Sequence, residues 1–174
     1  NDMNDPKVYK LWQDGNSVGI FQFESQGMTN FMKELKPDCL EDIIAGVSLY
    51  RPGPMDQIPR YIANKKDPEH AVYTHPALKP ILKVTYGCMV YQEQVMQIVR
   101  DLAGYSLGRA DLVRRAMGKK KLDVMARERE IFINGQLDED GNIVVPGCVR
   151  NGIDAESANR IFDEMAEFAK YAFN

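Results

Sequence analysis

The chain has 174 residues, of which 44% are hydrophobic, and this is enough to fill the core of one domain. No run approaches 18 consecutive apolar residues and residues 1–10 lack an apolar stretch, so the sequence predicts neither a membrane span nor a signal peptide. Its three cysteines are isolated and odd in number, which is typical of reduced thiols in a cytoplasmic protein.

Charge is distributed unevenly along the chain. The net charge is −3, but residues 114–121 (RRAMGKKK) carry five positive charges and no negative one. Removing that +5 leaves −8 for the rest of the chain. The averaged charge therefore hides one concentrated basic site in an otherwise acidic protein.

The first third of the chain is predicted to be mostly helical. Asp5 before Pro6 is a typical helix start, and Asp38 is predicted to cap a helix that buries Leu40 and Ile44 among others. The segment from Val18 to Phe23 mixes β-branched and aromatic residues, which favours a short extended segment. Helices are expected over residues 6–14, 24–36 and 39–50, with a short helix or two half-turns over residues 55–64.

Helical periodicity continues in the remainder, with Ser106 and Asp154 as predicted caps. Turn residues and β-branched residues between Gln136 and Gly147 favour a small β-hairpin. Helices are expected over residues 76–84, 90–103, 107–117, 122–134 and 155–171. The predicted fold class is mainly α: one helical domain over residues 1–174, with a short extended segment near its N-terminus and a small hairpin insertion.

The basic run is the strongest candidate for a binding site. Arginine forks suit bidentate phosphate contacts, the lysines add mobile charges, and Gly118 permits close backbone approach. Charge alone leaves a second interpretation open, in which the run is a solvated helix end where Arg115 pairs with Asp111. Similarly, Tyr171 and Phe173 could stack on a base or could pack into a core.

Other chemistry receives little support from the residues. His70 and His75 have no neighbouring ligands at a recognised spacing, so no metal site is predicted. The carboxylate pairs at Glu41–Asp42 and in residues 138–140 are explained by capping and turns. No nucleophile-elbow, P-loop or zinc-protease motif is present.

Four segments resemble the alpha subunit of the bacterial C-family DNA polymerase III. They are GIFQFESQGM (19–28), LKPDCLEDIIAGVSLYRPGPM (35–55), TYGCMVYQEQVMQIVRDLAGYSLGRADLVRRAMGKKK (85–121) and IFDEMAEFAKYAFN (161–174). The blocks YQEQVMQI and RRAMGKKK are long and specific. Residues 136–150 resemble an insertion found in some branches of the family.

The resemblance implies part of a fingers domain, the mostly helical domain that contacts the incoming deoxynucleotide. Arg114 and Arg115 match an arginine pair near the nucleotide phosphates, and Tyr171 matches an aromatic residue near the nucleotide pocket. The lysine run Lys119, Lys120 and Lys121 is expected to bind phosphate or DNA. The catalytic aspartates are expected in the palm domain, before Asn1, so no catalytic or metal-binding residue is expected in this chain, and the isolated chain is expected to be inactive.

The same resemblance implies two-metal nucleotidyl transfer by the full-length enzyme, with Mg²⁺ held by residues outside this chain. Implied partners are primer-template DNA, deoxynucleoside triphosphates and, through other regions, replicase subunits including the sliding clamp. A cytoplasmic, nucleoid-associated location without membrane contact is expected. Two other classes stay open from the basic run alone: a non-catalytic nucleic-acid-binding module and a metabolic enzyme domain with a phosphate-bearing ligand.

Overall fold

A computed structural model describes residues 3–119 and 122–172. In that part of the chain there are nine α-helices, several short 3₁₀ turns and one two-stranded antiparallel sheet, so the mainly α prediction is confirmed. No helix of the described residues is long and apolar enough to cross a membrane. Between Glu69 and His70 the chain divides into two compact units, and each is described by itself.

The first unit contains four helices, and the predicted cap of the first is confirmed. Asp5 caps the first by accepting a hydrogen bond from the Lys7 backbone N–H at 2.9 Å, and Ser25 caps the second by accepting from Met28. The ring of the buried Phe31 stacks on the partly buried ring of Tyr50, with the ring centroids 6.0 Å apart. The helices are α1 (Pro6–Gln13), α2 (Gln26–Leu35), α3 (Leu40–Leu49) and α4 (Ile58–Lys66).

The extended segment predicted from Val18 to Phe23 is wrong: these residues form two consecutive turns. The Ile20 N–H donates to the Ser17 carbonyl at 3.1 Å, and the Phe23 N–H donates to the Ile20 carbonyl at 2.9 Å. Gly19 has a positive φ of 83°, which a β-strand does not allow. Val18 is 91% exposed, so the β-branched composition of the segment does not reflect a buried strand.

The cap and the buried face of α3 also differ from the prediction. Cys39, not Asp38, is the cap residue, and it makes no side-chain capping bond. Leu40 and Ile44 are exposed, while the helix buries Ala45, Gly46, Leu49 and the carboxylate residue Asp42. Gly46 lies against Met32: a Cβ at this glycine would come within 3.1 Å of the Met32 sulfur. The buried face of α3 is therefore determined by the close packing of small residues and not by its larger apolar side chains.

The second unit packs four long helices around one core. The rings of Phe132 and Phe162 meet at 5.8 Å inside this core, which also contains Ile98, Val113 and Met165. Asp154 caps the last helix as predicted, because its carboxylate accepts from the Ser157 N–H at 2.8 Å. The helices are α5 (Lys79–Leu82), α6 (Gln92–Ala103), α7 (Leu107–Gly118), α8 (Leu122–Asn134) and α9 (Ala155–Ala172).

The predicted hairpin is confirmed between α8 and α9. Strands β1 (Gln136–Leu137) and β2 (Ile143–Val145) pair antiparallel around a turn in which Asp138 accepts hydrogen bonds from Asp140 and Asn142. The hairpin base is held by backbone contact rather than by a large apolar face. Gly147, at a φ of 81°, lies so close to Gly135 that an added Cβ would be 2.3 Å from its backbone nitrogen.

Candidate nucleotide-binding site

Helix α7 carries the two arginines, and it is held by an N-terminal cap, a buried apolar stripe and an ion pair to α8. Ser106 caps its N-terminus by accepting from the Arg109 N–H at 3.2 Å. Its apolar stripe of Ala110, Val113 and Met117 is buried in the core of the second unit. The Arg109 side chain also donates to the Glu128 carboxylate of α8 at 2.7 Å, so an ion pair joins α7 to α8.

A single carboxylate organises both arginines of the site. Arg114 donates to Asp111 Oδ1 through Nε at 3.0 Å and through Nη2 at 2.7 Å. Arg115 forms an ion pair with the same carboxylate, with its Nε 2.9 Å from Oδ2. The hydrogen bonds from Arg114, helped by attraction to Arg115, hold the pKa of Asp111 below its ordinary value of 3.8. At neutral pH one negative charge therefore holds two positive ones, leaving a net positive cluster.

The two guanidinium groups differ in how open they are. The Arg114 side chain is 30% exposed and all three of its nitrogens are engaged, whereas Arg115 is 66% exposed. Within residues 3–119 and 122–172, the two terminal nitrogens of Arg115 have no hydrogen-bond or ion-pair partner. Arg115 therefore offers the more accessible fork for an anion.

Arg114 is also joined to a different helix. Its Nη1 lies 3.5 Å from Oε1 of Gln92, the first residue of α6, and Gln92 Nε2 donates to the Ala172 carbonyl at the end of α9 at 2.5 Å. Gln92 thereby brings α7 and the end of α9, one residue from Tyr171, to the same place. The fold therefore brings the predicted residue Arg114 near Ala172, which follows the predicted residue Tyr171 in the sequence.

The turn before α6 is held by a buried polar network. The Gln94 Oε1 accepts from the backbone N–H groups of Val90 and Tyr91 at 2.8 and 3.0 Å, and Gln94 Nε2 donates to Thr85 at 2.8 Å. The Thr85 hydroxyl donates in turn to the Cys88 carbonyl at 2.6 Å. Because these buried donors and acceptors are paired, the backbone that leads into Gln92 is rigidly placed.

The remaining predicted residues are placed only in part. Lys119 is exposed at the end of α7, whereas Lys120 and Lys121 lie outside the described residues, as does Phe173. Tyr171 is 46% exposed, so for this residue the alternative of packing into the core is wrong.

A second cluster of possible ligand atoms is already occupied by a cation of the protein itself. The ligand atoms of Asp38, Cys39 and Asp42 lie within 4.8 Å of one another. The Lys65 ammonium group, however, lies 2.7 Å from the buried Asp42 carboxylate and 3.5 Å from Asp38, and it donates to the Lys36 carbonyl at 2.9 Å. The cluster does not fit Mg²⁺, because lysine fills the position that a metal ion would take.

Comparison with known proteins decides the family. A family model described as the bacterial DNA polymerase III alpha subunit finger domain matches residues 1–140. The chain belongs to this family. The match covers the first compact unit and the second as far as residue 140, including the arginine pair and the Gln92 helix, so the expected family resemblance is confirmed.

Curated relatives of the finger domain extend the similarity to nearly the whole chain. DNA polymerase III subunit alpha of Chlamydia muridarum is 50% identical over 99% of this chain, and that of Xylella fastidiosa (strain 9a5c) is also 50% identical over 99%. The corresponding Staphylococcus aureus (strain Mu50) protein is 46% identical over 98%. The chain spans only 13%, 14% and 15% of the lengths of these three proteins.

Sequence reasoning about this finger-domain site missed the residues that position the arginines. The sequence analysis assigned no role to Gln92 and Gln94 beyond their place in the YQEQ block. It considered Asp111 only as a partner of Arg115. Gln94, the third residue of α6, accepts from the Tyr91 backbone N–H, but tyrosine is not a usual N-cap residue, so the sequence carried no capping-box signal here. The contact between Gln92 and Arg114 joins residues 22 positions apart and has no local signal.

Proposed function

We propose that this chain is the fingers part of a DNA-directed DNA polymerase and binds the incoming deoxynucleoside triphosphate and primer-template DNA during chromosomal replication. One observation carries the proposal: Arg114 and Arg115 form a net positive cluster on one carboxylate, beside the end of α9. Membership in the finger-domain family supports it and argues against a metabolic enzyme domain.

Each predicted residue has a role in this proposal. Arg115 binds the triphosphate through its two open terminal nitrogens. Arg114 is less exposed and is oriented by Asp111, and it contributes its positive charge to the same site. Tyr171 lies exposed at the edge of the nucleotide pocket, and the run Lys119, Lys120 and Lys121 attracts phosphate or the DNA backbone.

These residues act by position and charge. Reaction requires the primer 3′-hydroxyl to be in line with the α-phosphate, and fixed guanidinium groups hold a triphosphate in such an orientation. They also stabilise the negative charge of the departing pyrophosphate. In the full-length enzyme Mg²⁺ supplies Lewis acid chemistry and is held by palm residues outside this chain, so we expect no synthesis by the isolated chain.

Several wider assignments belong to the same proposal. The two compact units form one fingers domain, because the family model runs across the division between Glu69 and His70. The full-length protein works in the cytoplasm at the nucleoid, with replicase subunits including the sliding clamp bound through other regions.

The direct test uses Arg114→Ala and Arg115→Ala separately in the full-length polymerase. A charge-assisted contact contributes about 1.5–3 kcal/mol, so loss of a phosphate contact reduces the efficiency of single-nucleotide incorporation by about 10- to 150-fold. Arg100→Ala is the matched control, since Arg100 is an exposed arginine about 12 Å along α6 from Gln92.

Thermal unfolding of each variant separates a lost contact from a folding defect. Exposed ion pairs contribute little to stability, so we expect Arg115→Ala to cost less than about 0.5 kcal/mol of unfolding free energy. If both variants fold and incorporate nucleotides as efficiently as Arg100→Ala, the basic run is only a solvated helix end and the proposal fails.

A further inference from the structure

We infer that Gln92 is a positioning residue for nucleotide binding: it aims the Arg114 guanidinium at the triphosphate without neutralising its charge. This inference rests on the proposed function of Arg114. Its evidence is the pair of contacts that the Gln92 amide makes, one to Arg114 on α7 and one to the end of α9.

The chemistry of its two neighbours fixes the orientation of the Gln92 amide. The Ala172 carbonyl can only accept a hydrogen bond, so it must face the amide nitrogen, at 2.5 Å. The Arg114 guanidinium can only donate, so it must face the amide oxygen, at 3.5 Å. Reversing the amide would place two donors together and two acceptors together. The contact to Ala172 therefore ensures that an oxygen is turned toward Arg114.

The backbone of Gln92 is held independently of these contacts. Gln94, two residues later, accepts from the N–H groups of Val90 and Tyr91 and is 5% exposed, so the start of α6 is fixed by buried hydrogen bonds. Gln92 itself is only partly buried. It is therefore a side chain on a rigid base, and its replacement removes two contacts without opening the core.

Gln92 and Asp111 restrain Arg114 in different ways. Asp111 lies on the same helix as Arg114, so it moves with α7, and its negative charge competes with a phosphate for the guanidinium. Gln92 belongs to α6 and is neutral. It can orient Arg114 relative to the rest of the site while leaving the full positive charge available to the nucleotide.

This difference predicts a graded response to substitution. Gln92→Leu removes both hydrogen bonds, and we expect it to raise the Kd for the incoming nucleotide by about 3- to 10-fold, because the lost bond to Arg114 is long, at 3.5 Å, and therefore weak. Gln92→Glu cannot donate to the Ala172 carbonyl and places a second carboxylate at Arg114. Because that carboxylate competes with phosphate, we expect a larger increase in Kd than for Gln92→Leu.

The experiment measures Kd and the maximal rate of single-nucleotide incorporation in the full-length polymerase, with Mg²⁺, a primer-template and the complementary deoxynucleotide. The control is Gln97→Leu, because Gln97 lies exposed on α6, about 140° around the helix from Gln92. Gln92→Leu and Gln92→Glu are each combined with Arg114→Ala. Melting temperatures are followed for all variants, and the Glu variant provides a second soluble test if the Leu variant unfolds.

If Gln92 acts through Arg114, its substitutions raise Kd in the wild-type background and have no further effect when Arg114 is alanine. Additive effects in the double variants, or Kd values equal to that of Gln97→Leu, overturn the inference while the proposed function stands. Wild-type incorporation by Arg114→Ala alone removes the phosphate role of Arg114 and the inference together.

Discussion

The ion pair between Arg109 and Glu128 joins α7, which carries the two arginines, to α8, and its loss should destabilise the chain strongly. The perturbation is Glu128→Ala. The Glu128 side chain is only 8% exposed and accepts from Arg109 at 2.7 Å and, more weakly, from the Tyr105 hydroxyl at 3.4 Å. Truncation leaves the Arg109 charge without its carboxylate, while the Tyr105 ring still faces it at 5.3 Å.

The magnitude follows from the burial of the two partners. Removing one member of a fully buried pair costs about 3–5 kcal/mol, because the other charge stays desolvated. Arg109 is 21% exposed and can recover part of its hydration, so the expected loss is about 2–3 kcal/mol of unfolding free energy. For a chain of 174 residues this corresponds to a decrease in Tm of about 4–12 °C.

Thermal unfolding followed by circular dichroism at neutral pH measures this loss. The matched control is Glu130→Ala: Glu130 is exposed on the same helix and accepts a hydrogen bond from Asn134, so its loss should stay within about 0.5 kcal/mol. The double variant Arg109→Leu/Glu128→Leu should lose less than the two single Leu variants together, because no unpaired charge remains. Equal melting temperatures for Glu128→Ala and Glu130→Ala would refute this role of the ion pair.

Two further predictions concern the hairpin and the thiols. Gly147→Ala should lower the free energy of unfolding, measured with denaturant, by at least about 2 kcal/mol, because its Cβ would meet Gly135. The control Gly141→Ala has the same φ of 81° but lies in open space, so it should cost about 1 kcal/mol. Equal losses of stability in the two variants would show that the close approach of Gly147 to Gly135 is unimportant. Burial raises the pKa of Cys39 to about 11 from its ordinary 9.0, and that of Cys148 to about 12. Because iodoacetamide reacts with the thiolate, it should label Cys39 at pH 8 about 100-fold more slowly in the folded than in the unfolded chain. Equal labelling rates in the two states would contradict this.

Local rules were sufficient for most helices because their boundaries are set by neighbours in sequence. Asp5, Ser106 and Asp154 each accept a backbone N–H within the first turn that follows, and this requires no tertiary structure. The hairpin could be predicted in the same way, because Asp138 stabilises its turn by hydrogen bonds to residues no more than four positions away. Elements of this kind can be predicted from residue type and spacing alone.

The wrong predictions concern segments whose structure is set by tertiary packing. The turns of residues 18–23 depend on Ser17, whose hydroxyl donates to the Phe23 carbonyl at 2.8 Å, and aromatic composition does not indicate this. In α3 the small residues Ala45 and Gly46 face inward, a choice set by the neighbouring helix and not by hydrophobicity. Tertiary contacts override local propensity at both places.

In the candidate site, too, some features could be predicted from the sequence and others required the fold. Charge concentration and the family resemblance singled out Arg114 and Arg115, and helical spacing gave the pair of Arg115 with Asp111. That Asp111 also takes two bonds from Arg114, and that Gln92 reaches across from α6, required the fold. Partner choice among nearby side chains depends on rotamers and helix packing that spacing does not specify.

The central claim is that the guanidinium groups at the end of α7 bind the nucleotide phosphates, and equilibrium binding tests it without chemistry. Full-length polymerase is held on a primer-template whose primer ends in a dideoxynucleotide, and the Kd for the next deoxynucleoside triphosphate is measured. We predict that Arg115→Ala raises this Kd by about 10- to 150-fold and leaves the affinity for primer-template unchanged. An unchanged nucleotide Kd in both Arg114→Ala and Arg115→Ala, with both proteins folded, would contradict the account.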